Sequence, residues 1–428
     1  MLTNTKINFN CLASNLITFI ISFLYSFFLI KFNKSFDNYT TLFFLGSLAL
    51  LFIFELRNIK QSKVEIIDLI FKLIFLSFGI MLGYSIAQGG IQEIWIIDAQ
   101  AMHVPGAINI SNFLSGTEPL RKLGSVFDKI YLTNAYVGIW FYIFGASPEV
   151  SIIALTSLKC FTTYFLYTLT LEILNKQCAL IASLIYIIVP TLLFYSITYY
   201  KEMLIQLCIT MFCLGLVRLN KSFYIKNIVM IIVSLLILSN ERFYLFPILG
   251  GTLFLRVILI NRIPNSIKYL TFLISLLFAA LFQLKYQEQI PIQKIISSIQ
   301  QFHKAYNNYS DVNSGVNRLY PISLVRFVFT PFFTFNKFDL FHNYSYLLIW
   351  GSFFNQAIIA TAIYTILIKS RSLIKEYWYL FLPSLFFIFL FAYVAPYSGR
   401  LRDTFYPLVC LWASYQINNL KIWEQNEE

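Results

Sequence analysis

The chain has 428 residues, of which 58% are hydrophobic, 18% aromatic and only 12% charged, with a mean hydropathy of +0.69. Soluble domains carry roughly 25% charged residues, so this composition excludes a soluble globular protein and points to an integral membrane one. The net charge of +12 does not signal nucleic-acid binding, because the basic residues are scattered between apolar runs and form no block.

The first apolar stretch, 12–31, follows Lys6, exceeds a signal-peptide core in length and lacks a small-residue cleavage site, so it is predicted to be an uncleaved span. A span needs about 20 apolar residues. On that measure further spans are predicted at 40–56, 66–86, 150–171, 178–196, 203–218, 227–240, 243–260, 268–284, 344–368, 377–394 and 403–418, which makes twelve. The expected fold class is an all-α polytopic membrane protein. The six cysteines lie in or beside apolar segments without CxxC or Cys/His spacing, so neither disulfides nor structural zinc is expected.

One more apolar tract, IYLTNAYVGIWFYIFG (130–145), is short and rich in Tyr and Trp. Its status decides the topology, because counting it as a span inverts everything after it. If it lies in the interface, four short loops with three basic residues each share one side. They are Arg57, Lys60 and Lys63; Arg218, Lys221 and Lys226; Arg256, Arg262 and Lys268; and Lys369, Arg371 and Lys375. Lys and Arg in short loops mark the cytoplasmic side, so the tract is predicted to be interfacial or re-entrant, with both termini cytoplasmic. A long outer loop is then expected at 285–342.

This topology gathers the unusual polar residues on the outer face: Asp98 and His103, Lys201 and Glu202, Glu241 and Arg242, Arg326, and Arg400, Arg402 and Asp403. Asp98, in IWIIDAQAMH, is either a helix N-cap or a carboxylate that takes a proton from an attacking hydroxyl. His103 is either a structural hydrogen-bonding residue or a contact to substrate. Lys201 and Glu202 either end a helix at the interface or face a cavity; adjacent helical residues do not pair with each other, so each needs another partner. In NERFY (240–244) Glu241 and Arg242 form a turn whose arginine could hold a phosphate through two parallel hydrogen bonds. Arg326, in SLVRFVFTPFF, and Arg400 and Arg402, in YSGRLRDTFYP, are further anion-binding candidates. No DxD, HxxxH or HExxH pattern occurs, so no metal or other cofactor is indicated, although a divalent ion is compatible.

The order of these pieces resembles the GT-C superfamily of membrane glycosyltransferases, including family 39-like protein O-mannosyltransferases and lipid A aminoarabinose transferases. The resemblance rests on DAQAMH after a helix, the interfacial tract ending in Phe144-Gly145, the LNKQ turn (174–177), Pro190 late in the next span and Glu202 in an outer turn. It covers about 66–418 and is strongest over 90–215. It implies a GT-C-like catalytic domain over 65–428, including loop 285–342, behind a two-helix extension at 1–64. It also implies a catalytic carboxylate at Asp98, a second acid at Glu202, and Lys201, Arg242, Arg400 and Arg402 around a polyprenyl phosphate. The sequence departs from the family in lacking an acidic neighbour or DxD beside Asp98.

The implied activity is transfer of a sugar from a polyprenyl-phosphate donor to a lipid, glycan or protein acceptor on the extracytoplasmic side, in a bacterial inner membrane. Membrane lipids are the expected surroundings and nucleic acid is not an expected partner. An O-antigen-type polysaccharide polymerase or ligase is the alternative, differing in donor size. A lipid-linked sugar transporter is the second, and it predicts internal repeats and midplane charges. No repeat is evident, but Lys72 and Lys159 fall within spans.

Overall fold

In a computed structural model, the described residues are 9–31, 37–87, 103–119, 131–221, 224–242, 245–259, 324–325, 328, 345–369, 371–394 and 403–420. Among them the structure is helical, with no strand. In chain order the helices are α1 (Phe9–Lys31), α2 (Asp37–Lys60), α3 (Ile66–Ala87), α4 (Val104–Leu114), α5 (Leu132–Phe144), α6 (Pro148–Ile173), α7 (Lys176–Ile188) and α8 (Pro190–Ile197). There follow α9 (Glu202–Lys221), α10 (Ile225–Glu241), α11 (Leu245–Leu259), α12 (Ser345–Tyr364), α13 (Arg371–Val394) and α14 (Tyr406–Asn418). A helix therefore occupies each predicted span except 268–284, which lies outside the described residues.

Among the described residues five helices, α1, α2, α3, α6 and α9, are long and apolar enough to cross a bilayer, and the bent pair α7 and α8 makes a sixth if it is one span. Among the rest, α10, α11 and α14 run 17, 15 and 13 residues. Helix α5 has 13 residues, or roughly 20 Å at 1.5 Å per residue, well short of a hydrocarbon core of about 30 Å.

The chain divides into two compact units. The first comprises Met1–Leu214, Phe333–Ser370 and Thr404–Glu428. In it α1 lies along α3, α2 packs on α7 and α12, and α6, α7, α8, α12 and α14 pack on one another, with α4 and α5 paired beside α6. Helices α1 and α2 belong to this unit. Close approach of α1 and α3 depends on Gly79, where an added Cβ would lie 2.6 Å from the Phe19 carbonyl oxygen. Small residues let backbones approach in this way within a bilayer.

Local sequence sets the ends of the central helices. After α5, Gly145 takes φ +87°, a conformation a Cβ would disfavour, and turns the chain. Ser147 then caps α6, its hydroxyl accepting from the Val150 N–H, and Pro148 starts the helix without wasting a donor. In the LNKQ turn the Asn175 side chain accepts from the Cys178 N–H at 2.9 Å and caps α7. Pro190 cannot donate to the preceding turn, and the chain bends by 55° between α7 and α8. Buried hydroxyls within the helices bond back to their own backbone: Thr162 to Leu158, Thr163 to Lys159, Ser183 to Ala179 and Thr198 to Phe194. Such bonds remove the cost of an unmet polar group in an apolar setting.

Three contacts fix the relative sense of helices in this unit. Lys60 Nζ donates to the Asn418 and Leu420 carbonyls at 3.1 and 2.9 Å, joining the ends of α2 and α14. Lys176 and Glu65 lie 3.9 Å apart, joining the starts of α7 and α3. At the opposite end the Ser85 hydroxyl donates to Glu149 Oε1 at 2.8 Å, so α3 finishes where α6 begins. The chain between them returns to the end it left, as required if the 130–145 tract adds no net crossing.

The second unit comprises Gly215–Phe332 and Arg371–Asp403. Helix α11 packs on α10 and α13, and the Arg256 guanidinium lies 4.4 Å from the centre of the Tyr379 ring. Helix α13 is kinked at Tyr377 (φ −111°, ψ 27°) and carries Pro383.

Candidate functional site

The end of the first unit opposite Lys60 and Lys176 carries a polar and aromatic cluster built from three segments. The first is the start of α4, where His103 occupies the N-cap position and Pro105 the first turn. The second is α5, which approaches α4 closely: a Cβ on Gly138 would lie 2.8 Å from the Ala107 carbonyl oxygen. That approach brings Asn134, buried in the first turn of α5, to His103, with Oδ1 3.0 Å from Nδ1. The third is the turn between α8 and α9, Thr198 to Lys201.

Tyr199, in this turn, is fully buried and has φ +61°, in the left-handed region. Holding a non-glycine residue there costs roughly 1–2 kcal/mol, so the surroundings must enforce it. They do so through its ring, which stacks on His103 at 5.7 Å with planes 24° apart. The Tyr131 ring meets the other side of the cluster, edge-on to His103 at 5.7 Å. Lys201 Nζ sits 4.4 Å from the centre of that same ring, a cation–π contact worth about 0.5–2 kcal/mol depending on its desolvation.

Glu202 follows as the first residue of α9 and is fully buried. A carboxylate in the first turn is favoured by the positive end of the helix dipole. One turn further on, Gln206 Oε1 accepts from the Tyr186 hydroxyl at 2.6 Å, which ties the start of α9 to the end of α7.

Of the residues expected to form a site, the structure brings His103, Lys201 and Glu202 into this region. Glu241 and Arg242 are both buried, at the end of α10 in the second unit. Asp98, Arg326, Arg400 and Arg402 lie outside the described residues. Sequence reasoning missed Tyr131, Asn134 and Tyr199. Asn134 carried a usable signal, a buried amide in an otherwise apolar helix, whereas Tyr199 carried none: nothing in SITYYKE marks a positive φ.

Among the described residues no group of three or more His, Cys, Asp or Glu side chains could hold a metal ion. The arrangement sets an imidazole and a cation against one tyrosine ring, with a buried carboxylate next in sequence to the cation. Comparison of the chain with protein-family models, with curated proteins and with solved structures gives no match.

Proposed function

We propose that this chain is a membrane glycosyltransferase of about twelve spans in all, with a GT-C-like core at 65–428, that uses a polyprenyl-phosphate-linked sugar. The observation that carries the reading is that His103 and Lys201 share the Tyr131 ring, with buried Glu202 following Lys201, at the bundle end opposite the basic Lys60 and Lys176. By the charge rule that end is extracytoplasmic, in a bacterial inner membrane the periplasmic side. The acceptor, on a lipid, glycan or protein, supplies a hydroxyl that attacks the anomeric carbon. The bond from that carbon to the phosphate oxygen breaks, polyprenyl phosphate leaves with the electron pair, and the hydroxyl proton passes to a carboxylate. Fixed cations near the leaving phosphate stabilise charge that grows in the transition state. Lys201 is suited to that role, with Arg242, Arg326, Arg400 and Arg402 as candidates by residue type. By the resemblance Asp98 and Glu202 are the carboxylates for proton transfer; Glu241 is a substrate-binding candidate by residue type alone.

The bent pair α7 and α8, with Lys159 beside the bend, favours a second reading, a lipid-linked sugar transporter, because broken helices are the usual site of substrate binding in such proteins. Membranes containing the protein, supplied with polyprenyl-phosphate sugar, separate the two: transfer gives a product heavier by one sugar, transport gives none. An oligosaccharide increment would instead indicate a polymerase or ligase. Lys201→Met, Asp98→Asn and Arg400→Ala are expected to accumulate normally and to abolish the mass shift. Full activity in all three would remove the basis of the assignment.

A further inference from the structure

Lys159 lies about 17 Å along the 26-residue helix α6, near its middle, and is fully buried. Among the described residues no carboxylate pairs with it. Its Nζ instead donates to the Ile187 carbonyl at 3.2 Å, in the last turn of α7, and lies 6.0 Å from the centre of the Tyr186 ring. A buried lysine without a carboxylate is costly in an apolar medium and calls for a reason.

Pro190 supplies one. It has no N–H for the Tyr186 carbonyl, and the 55° bend that follows opens the end of α7. The last carbonyls of α7 form the negative end of its dipole, the place where a cation is stabilised. Other groups converge on the same break. Asn355 Nδ2 donates to Thr191 Oγ1 at 2.8 Å, Gly351 makes room for the Pro190 ring, and the Tyr186 hydroxyl reaches Gln206. Beyond the break α8 runs directly into the turn bearing Tyr199, Lys201 and Glu202.

We infer that Lys159 is a positioning residue: its ammonium caps the opened end of α7 and so sets the angle at which α8 delivers the Tyr199–Glu202 turn to the site. Lys159 touches none of the reacting groups and acts through α8. The consequence for activity rests on the glycosyl-transfer reading above, whereas the effect on α8 does not.

The test is amide hydrogen exchange of the full chain in detergent micelles, read by mass spectrometry, beside sugar transfer. Lys159→Met should speed exchange over 189–200 by about two- to thirtyfold, the span corresponding to a cation at a helix C-terminus, with α1 and α3 unchanged. Lys159→Arg should restore slow exchange. In a Pro190→Ala background, where the helix can close its own hydrogen bond, the effect of Lys159→Met should vanish or reverse. If Lys159→Met does not accumulate, Lys159→Gln is compared instead, and it too should speed exchange locally. Exchange unchanged over 189–200, acceleration spread evenly over the chain, or strict additivity with Pro190→Ala would each overturn the inference. Local acceleration in a protein that transfers no sugar would leave it standing and remove only the glycosyltransferase reading.

Discussion

The ion pair between Glu55 on α2 and Lys72 on α3 gives the sharpest energetic prediction. Lys72 Nζ is 2.9 Å from Glu55 Oε1, and the two side chains are 2% and 1% exposed. The Ser14 hydroxyl of α1 joins them, donating to Glu55 and accepting from Lys72 at 2.7 Å. Three helices therefore meet on one charge-neutral cluster. At 2.9 Å and an effective dielectric constant of about 20, the gross attraction is about 6 kcal/mol. Desolvation costs several kcal/mol per ion, so the pair as a whole contributes close to nothing, while breaking it strands a buried charge.

Glu55→Leu or Lys72→Met alone should destabilise the protein by about 3–5 kcal/mol, and the double variant should lie within about 1 kcal/mol of the parent or above it. Reversible unfolding in mixed micelles, titrated with a denaturing detergent and followed by far-UV circular dichroism, measures all three variants in one cycle. A double variant as unstable as the two single costs combined would refute the reasoning. It would show that the groups act through their separate surroundings and not through each other.

The left-handed backbone at Tyr199 predicts that Tyr199→Gly is more stable than Tyr199→Ala by about 1–2 kcal/mol, since both lose the ring on His103 but only alanine retains the strain; the same unfolding titration reads the difference. At Gly79, alanine should cost about 1–3 kcal/mol because its methyl would meet the Phe19 carbonyl and the Ser22 hydroxyl of α1. Gly46→Ala, with open space around the added methyl, should be stabilising by about 0.5–1 kcal/mol and serves as the comparison. A cysteine at position 201 should react with an impermeant reagent from the extracytoplasmic side of intact cells, and labelling only from the cytoplasm would overturn the orientation taken from the charge rule.

Helix positions were legible because apolar runs and their interruptions are local: 178–196 reads as one segment from hydropathy, and Pro190 marks where it breaks. That the end of α3 lies beside the start of α6 is seen in the Ser85 hydroxyl bonding to Glu149. The partners of buried charges were not legible. Lys72 stood out as an anomaly, but Glu55 was lost among the basic residues of FELRNIK, and only the rotational phase of α2 against α3 turns the two toward each other. The site shows the same division. His103, Lys201 and Glu202 were singled out by residue type, whereas Tyr131 and Tyr199 are aromatic residues among 28 tyrosines and 45 phenylalanines, and only their geometry distinguishes them.

Three lysines of the first unit meet the problem of charge in an apolar setting in different ways, and the difference separates scaffold from site. Lys60 reaches past the end of its helix to the carbonyls that close α14, so its charge stays at the boundary where water and headgroups can screen it. Lys72 is buried but carries its counter-ion, and the cluster presents no net charge to the rest of the bundle. Lys159 is buried and answered by a helix end worth roughly half an elementary charge. A scaffold lysine could be exchanged for a neutral residue together with its partner, as at Glu55 and Lys72. Among the described residues Lys159 has no such partner to remove; what it compensates is the opening of the helix itself.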